Sequence, residues 1–367
     1  MHLPGILKLK NLLLLALSGI VAFLLSEVIV RIVAPQHLNG IIITSSDKWG
    51  YSIPIKNWEA RFEFEDRKGY YRFNEYHLRG GPLTKGTKKI LVVGDSFTLG
   101  VKVKEEDTFV RRLQRLADTN FGPNEFQFLN GGCGGWGTSE YVAFVEDFGE
   151  KIKPVAVMVF LNADDIGRSL NNSLYLLESP GSLELKKVKI EWSALSKIKH
   201  TVNKIPLYYW LVEHSHLVQM CRLAALKFLK EEVFVQQPQC MPGPPVRKNL
   251  KVDPNYAKAF GRALFQRLNA WCRNHNVHLF VVTTGWNGFY PVEDWAELNE
   301  PTAVFLMETQ RIFEEDNIPF HDLGPYFKTL RDVRGDFMIP RDGHPNEAGH
   351  KLIADRVWEW LCPRLLT

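Results

Sequence analysis

Two short stretches of the sequence carry residue types that can do covalent chemistry together. In "ILVVGDSFTLGV", Ser96 follows a run of β-branched residues, and in "PRDGHPNEAGH" one glycine separates Asp342 from His344. A serine hydroxyl becomes a useful nucleophile when a base removes its proton, and an imidazole oriented by a carboxylate can be that base. The sequence therefore predicts a nucleophile (Ser96), a base (His344) and an orienting carboxylate (Asp342) for acyl transfer.

Acyl transfer also needs hydrogen-bond donors for the oxyanion that forms during attack. The glycines of "LNGGCGGWGTS" allow close approach of the backbone, so N–H groups of Gly135 or its neighbours are candidates. The side-chain amide of Asn162 in "VFLNADD" is a second candidate. The alternative for Asn162 is an ordinary turn residue at the end of a strand.

Several of these residues also have a structural interpretation. Ser96 can cap the helix that follows it, since serine is a preferred N-cap residue. Asp95 is predicted to tie its loop together by accepting backbone hydrogen bonds. His350 recurs six residues after His344 but falls within a helical pattern, so packing or a surface position is expected there.

Short apolar runs alternate with amphipathic windows from Lys88 onward. This order predicts an α/β fold, a doubly wound parallel sheet covered on both faces, in which ligands bind beyond the carboxyl ends of the strands. Gly94, Asp95 and Ser96 fall at such an end. Strands are predicted over 88–94, 125–132, 154–162, 277–285 and 318–324, and helices over 107–120, 139–152, 256–276, 297–317 and 346–361.

The stretch of about 167–250 interrupts this alternation. It contains an apolar region typical of one or two helices, "IPLYYWLVEHSHLVQMCRLAALKFLKEEV", and then the Pro-rich "QQPQCMPGPPV". An insertion of this length is either a cap over the site or a surface for partners. Tyr208, Tyr209 and Trp210 are either a carbohydrate-stacking surface or part of a packed helix.

The N-terminus predicts a membrane anchor. Leu12 to Val30, as a helix, is about as long as the hydrocarbon core of a bilayer is thick, and Lys8 and Lys10 precede it. No persuasive small-x-small cleavage site follows, which favours an uncleaved anchor over a cleaved signal peptide. The other alternative is a buried core helix. The predicted organisation is an anchor over 1–34, a juxtamembrane segment over 35–87 with a strand or hairpin near Ala60–Phe64, and a main domain over 88–367.

Composition and motifs exclude several other classes of function. The 367 residues are 45% hydrophobic and 23% charged, which is typical of a globular chain. The net charge of +4 is weak and scattered, so no nucleic-acid partner is expected. Five widely spaced cysteines form no CxxC pair, and no nucleotide, flavin or metal motif is present. The sequence thus predicts neither a cofactor nor a metal.

Taken together, "GDSFTLG", "NGGCGGWG", "FLNADD" and "DGHPNEAGH" resemble the four blocks of the SGNH, or GDSL, hydrolase superfamily. The resemblance covers about Lys88 to the C-terminus outside the insertion. It implies a three-layer, flavodoxin-like fold, Ser96 as nucleophile, and an Asp342–His344 pair before the last helix. It also implies an oxyanion hole formed by the Ser96 N–H, Gly135 and Asn162.

The sequence departs from the family pattern in two blocks. The family usually has Gly-x-Asn-Asp in its third block, so either Asn162 or Asp164 of "LNADD" takes the asparagine position. Asn162 is preferred because a carboxylate would repel the oxyanion. The fourth block commonly reads Asp-x-x-His, whereas here a single residue lies between Asp342 and His344.

The anchor and the segment "YRFNEYHLRGG" resemble membrane-tethered bacterial members, in which an "RxNxxGxR" segment precedes the GDS strand. The resemblance therefore implies a single-pass protein of the cytoplasmic (inner) membrane with its catalytic domain on the periplasmic or extracytoplasmic side. The expected function is an ester hydrolase or O-acyltransferase acting on an acylated small molecule or an envelope or exported polysaccharide. The alternative is a catalytically silent module that binds a glycan or an envelope protein partner.

Overall fold

The structure is a computed structural model that describes residues 4–162, 164–178, 183–190, 201–203, 205–229, 253–283, 308–327, 329–330 and 332–366. The Pro-rich stretch 236–246 and the first part of the predicted helix 297–317 lie outside the described residues.

The described strands and helices follow the predicted alternation in the main domain. The strands are β1 (Ile43–Ser45), β2 (Ser52–Pro54), β3 (Trp58–Phe64), β4 (Arg67–Phe73), β5 (Lys88–Gly94), β6 (Phe126–Gly132), β7 (Ala156–Leu161), β8 (Tyr175–Leu177), β9 (Leu185–Lys187), β10 (His278–Thr283) and β11 (Phe320–Asp322). The helices are α1 (Pro4–Val33), α2 (Ser96–Leu99), α3 (Phe109–Phe121), α4 (Thr138–Ile152), α5 (Asp165–Asn172), α6 (Pro206–His214), α7 (His216–Leu229), α8 (Pro254–Asn274), α9 (Thr309–Glu315), α10 (Gly324–Phe327), α11 (Val333–Phe337) and α12 (Glu347–Leu361).

Five parallel strands form the main sheet, in the order β11-β10-β7-β5-β6. Counted along the chain these strands have the order 2-1-3-4-5, which is the flavodoxin-like arrangement. The predicted doubly wound parallel sheet is confirmed. Its carboxyl edge brings together the segments that follow β5, β6 and β7.

Alternate residues of each strand enter one of two cores. Leu91 and Val93 of β5 pack in the core that includes α4 and α8, whereas Ile90 and Val92 pack in the core that includes α3 and α12. All four of these side chains are fully buried. A strand covered on both faces reads as a continuous apolar run, which is why "ILVV" is not alternating in sequence.

The segment before β5 packs against the main domain. β3 and β4 pair as an antiparallel hairpin, as the sequence predicts for Ala60–Phe64. Tyr51 and Ile53 are buried in the same core as Trp136, and the indole Nε1 of Trp136 donates to the Ser52 carbonyl over 2.5 Å. The predicted juxtamembrane segment is therefore continuous with the core of the main domain.

The apolar region predicted as one or two helices in the insertion forms α6 and α7 in its described part, and these two helices meet α1. Glu27 of α1 accepts hydrogen bonds at the start of α7, from the N–H groups of His216 (3.0 Å) and Leu217 (2.9 Å) and from the Ser215 hydroxyl (2.7 Å). A carboxylate at these N–H groups satisfies donors that a helix start leaves unpaired. The end of α1 is thus attached to the insertion.

The aromatic cluster of the insertion has two environments. The Tyr209 ring lies 4.6 Å from the Trp58 ring between centroids, so Tyr209 packs against the hairpin. Trp210 is exposed and stacks on His214 of its own helix. Tyr209 therefore serves packing, while Trp210 remains on the surface.

Arg79 is a buried residue that joins the hairpin segment to the loop after α2. Its guanidinium donates to the carbonyls of Leu99 (2.5 Å), Gly100 (2.7 Å) and Val103 (2.7 Å) and lies over the Tyr71 ring. Its backbone N–H donates to the Asn130 carbonyl of β6 over 2.8 Å. One side chain thereby satisfies three carbonyls next to the helix that begins at Ser96.

We expect Arg79→Met to lower the free energy of unfolding by about 3 kcal/mol or more, because it leaves buried carbonyls without their charged donor. Urea unfolding of the detergent-solubilised chain measures the difference. Arg72→Ala on the same segment is the control, since Arg72 pairs with Glu59 at the surface and its loss should cost under about 1 kcal/mol. Similar losses in the two variants would contradict this role for Arg79.

Candidate active site

Ser96 begins a short helix at the carboxyl end of β5. The carboxylate of Asp95 accepts the N–H of Phe97 over 2.9 Å and so caps α2. The structural interpretation of Asp95 is confirmed, and the interpretation of Ser96 as the cap is wrong because its neighbour takes that position. The Ser96 hydroxyl is turned toward the C-terminal part of the chain instead.

Ser96, His344 and Asp342 form one chain of hydrogen bonds. Ser96 Oγ lies 2.9 Å from His344 Nε2, and His344 Nδ1 lies 2.6 Å from Asp342 Oδ1. With the proton on Nδ1, the ring donates to Asp342 and accepts from Ser96, which is the arrangement that makes the imidazole a base. All three residues are buried, with 9% or less of their surface exposed. The structure thus joins two segments that are 248 residues apart.

The loop that carries Asp342 and His344 is a tight turn. Gly343 has φ +83°, a left-handed conformation that glycine adopts without strain. Ile339 closes the turn, because its N–H donates to the His344 carbonyl (2.8 Å) and its carbonyl accepts from Asp342 N–H (3.1 Å). This turn explains how a spacing one residue shorter than the family pattern still places the carboxylate beside the ring.

Asp342 has a second partner that the sequence analysis did not identify. Its Oδ2 lies 2.5 Å from the buried ammonium of Lys102, so the carboxylate is shared between Lys102 and His344. Burial raises the pKa of Asp342, but the hydrogen bonds and charges of His344 and Lys102 lower it by more. The net effect is a pKa below the usual range for aspartate. Asp342 is therefore ionised at neutral pH. Nothing in the local sequence marks Lys102, since its contact spans 240 residues.

The glycine-rich loop after β6 lies beside Ser96. A Cβ added at Gly132 would lie 2.2 Å from the Leu99 backbone nitrogen, so this close approach of β6 to α2 requires glycine. A Cβ at Gly134 would lie 4.0 Å from Ser96 Cβ, and Gly135 has φ +80°. The predicted donor segment therefore lies next to Ser96.

Asn162 and Asp164 take different places. The Asn162 amide donates to Asp95 Oδ1 over 2.8 Å, and its backbone N–H donates to Asp165 Oδ2 over 2.7 Å. Asp164 instead pairs with Arg168, with 2.5 Å between Oδ2 and the guanidinium. The Asn162 amide thus contacts the residue before Ser96, and its role as an oxyanion donor stays a prediction.

Arg168 is a second functional candidate that the sequence analysis missed. Its guanidinium donates to Asp95 Oδ2 (2.8 Å) and to the Trp136 carbonyl (3.2 Å). The carboxylates of Asp95, Asp164 and Asp165 lie within 4.8 Å of one another, a donor set that can suit a cation, and Arg168 contacts all three. Its spacing of four residues from Asp164 on a helix is the signal that sequence reasoning had available.

His350 has a structural place. It is fully buried beside Phe109, whose N–H donates to His350 Nδ1 over 3.2 Å. Burial, helped by the positive charges of nearby arginines, lowers the pKa of His350 to about 3. The imidazole is therefore neutral at physiological pH. Of the two places predicted for His350, packing or the surface, the structure shows packing.

Comparisons with known proteins bear on the family of the chain. The family model described as "GDSL-like Lipase/Acylhydrolase family" matches residues 92–352. No curated protein matches the sequence. Similar solved structures include the psychrotrophic esterase EstA from Pseudoalteromonas sp. (12% identity, TM-score 0.42, 76% of this chain and 100% of that chain). They also include the acetyl xylan esterase AlAXEase (14% identity, TM-score 0.41, 74% and 99%) and an acetylxylan esterase from Geobacillus stearothermophilus (14% identity, TM-score 0.41, 76% and 94%).

The matched segment runs from the strand before Ser96 to the helix after His344, and it holds all four sequence blocks. It also covers more than two thirds of the chain. The chain therefore belongs to the GDSL-like lipase/acylhydrolase family.

Proposed function

We propose that the protein cleaves an ester through a covalent acyl-enzyme on Ser96. The observation that carries this proposal is the buried hydrogen-bonded chain from Ser96 through His344 to Asp342 at the carboxyl edge of the sheet. It has the order that nucleophilic catalysis needs, with a hydroxyl against a base and the base against a carboxylate.

In the first half of the reaction, Ser96 Oγ attacks the acyl carbon while its proton passes to His344 Nε2. The oxyanion is stabilised by the Ser96 N–H, the Gly135 segment and Asn162. The ester C–O bond then breaks, and His344 returns the proton to the departing alcohol. Asp342 stabilises the imidazolium that exists between these two proton transfers.

In the second half, an acceptor hydroxyl attacks the acyl group on Ser96. His344 takes the proton of the acceptor and gives it to Ser96 Oγ as the acyl–serine bond breaks. Water as the acceptor gives a carboxylic acid and defines an esterase, whereas a sugar hydroxyl gives a new ester and defines an O-acyltransferase. The same three residues serve both reactions.

We propose that the substrate is an acylated carbohydrate of the cell envelope or an exported one. The support is the placement of the domain outside the cytoplasmic membrane, which follows if α1 is an anchor with its lysines inside. The helix from Lys10 to Val33 is long and apolar enough to cross a bilayer. Such a helix can also be a signal sequence.

The contacts of Glu27 favour an anchor that is kept. A signal sequence is cut from the mature protein and has no use for specific bonds to it. Here Glu27 accepts three hydrogen bonds from the start of α7, and Arg31 donates to the His214 carbonyl over 3.2 Å. Cleavage after α1 would leave the helix start at His216 without its capping carboxylate.

The nucleophile is tested with Ser96→Ala. We expect this variant to lose labelling by a fluorophosphonate probe, in which Ser96 Oγ bonds to phosphorus as fluoride leaves. We also expect turnover of p-nitrophenyl acetate to fall by about 10⁶-fold. Ser173→Ala is the control, because Ser173 is an exposed serine that donates to the Leu170 carbonyl. Unlabelled wild-type protein would instead support a silent binding module.

The oxyanion donor is tested with Asn162→Ala. Loss of one donor should lower kcat by about 10² to 10³-fold while KM changes little, because the interaction forms in the transition state. Steady-state kinetics with p-nitrophenyl acetate gives both constants. Asp164→Ala is the comparison variant, since Asp164 pairs with Arg168 rather than with the loop of the nucleophile. A larger fall in kcat for Asp164→Ala would reverse the assignment.

The anchor is tested in cell fractions. A protein with a tag at its N-terminus should keep the tag, remain in the membrane after alkaline extraction, and be degraded by protease added to spheroplasts. Removal of residues 1–33 should release it to the soluble fraction. Loss of the tag during export would show that α1 is a cleaved signal.

A further inference from the structure

Lys102 makes several specific contacts beside the site, and the proposed acyl-transfer mechanism gives this residue no role. The side chain is 6% exposed, and its ammonium lies 2.5 Å from Asp342 Oδ2 and 3.0 Å from the centroid of the Phe64 ring. Its backbone N–H donates to the Tyr71 hydroxyl over 2.7 Å. Phe64 and Tyr71 belong to β3 and β4, so the hairpin holds this lysine against the catalytic carboxylate.

The backbone of Lys102 is strained, with φ +60°. A side chain in the left-handed region carries a conformational cost that glycine would avoid. The contacts of the ammonium with Asp342 and with the Phe64 ring, and of the backbone N–H with the Tyr71 hydroxyl, offset this cost. The contacts of the ammonium, rather than the backbone conformation, therefore account for a lysine at this position.

We propose that Lys102 is a positioning residue that partly neutralises Asp342, so that His344 remains an uncharged base down to a lower pH than Asp342 alone would allow. This inference rests on the proposed function and adds a control of the pH range of the same site. Lys102 acts through Asp342 and has no contact with the reacting atoms in the scheme.

The physical reason is the balance of charge around the imidazole. An isolated buried carboxylate favours the imidazolium, because opposite charges attract strongly where water is excluded. A cation on the far oxygen of that carboxylate opposes the protonation of the ring. Removing the cation should therefore favour the imidazolium, so that a smaller fraction of the imidazole is uncharged at the lower end of the pH range.

Other charged groups near the pair have partners of their own. Arg67 binds Glu347 through two hydrogen bonds of 2.5 and 2.9 Å. Arg341 binds Glu65 over 2.5 Å. Glu65 and Arg67 lie at the tip of the β3–β4 hairpin, and their partners flank His344 along the chain. Behind Ser96, Arg168 pairs with Asp95. His350 is neutral. The cation in direct contact with the carboxylate of the site is Lys102.

The test compares Lys102→Met and Lys102→Gln, which remove the charge, with Lys102→Arg, which keeps it. Glutamine retains a hydrogen-bond donor for Asp342 and so separates charge from hydrogen bonding. For each full-length protein, the rate of fluorophosphonate labelling of Ser96 is measured from about pH 5 to about pH 9, a range that brackets imidazole titration. Near-UV circular dichroism confirms that the variant is folded.

We expect the midpoint of the acid limb to rise by about one pH unit in both neutral variants, with about tenfold slower labelling below it and similar rates at high pH. Lys102→Arg should keep the wild-type midpoint. Unchanged midpoints in folded neutral variants would overturn the proposal. Failure of both neutral variants to fold while Lys102→Arg folds would assign Lys102 to the architecture and also overturn it. Wild-type protein that is not labelled at any pH would instead reject the proposed function.

Discussion

The geometry of the site depends on the hydrogen bonds to one buried carboxylate, that of Asp95 at the end of β5. Asp95 is 1% exposed, and it receives hydrogen bonds from the Phe97 N–H, the Asn162 amide and the Arg168 guanidinium. A buried charge without such donors would be strongly destabilising. The same bonds bring together the start of α2, the loop after β7 and α5, and Arg168 extends the network to the Trp136 carbonyl. Ser96 is presented to His344 because its neighbour is fixed in this way.

Much of this arrangement follows from local sequence patterns. The run from Ile90 to Val93 predicts a buried strand, and the strand and helix alternation predicts which segments share the carboxyl edge of the sheet. Ser96, the glycine-rich loop and Asn162 lie at that edge because they follow β5, β6 and β7. The sequence therefore predicts which residues meet, since parallel strands make their ends neighbours.

The rest depends on contacts that no local pattern records. Lys102 lies in a loop with no periodicity, and its partner Asp342 is 240 residues away. The sequence predicts a strand or hairpin where β3 and β4 lie, yet the contacts of this hairpin with Lys102 and the His344 loop join segments that are far apart along the chain. The short spacing between Asp342 and His344 becomes intelligible only with the left-handed turn at Gly343.

The hairpin that packs against Lys102 lies between α1 and β5 along the chain. Its tip pairs with both sides of the His344 loop, through Glu65 and Arg341 and through Arg67 and Glu347. A fragment that began at the first residue of the family match would retain the serine and the histidine but would lose the first four residues of β5, from Lys88 to Leu91. It would lack the aromatic ring under the lysine and both tip ion pairs. A fragment that keeps these contacts must therefore begin upstream of β3, well before the first residue of the family match.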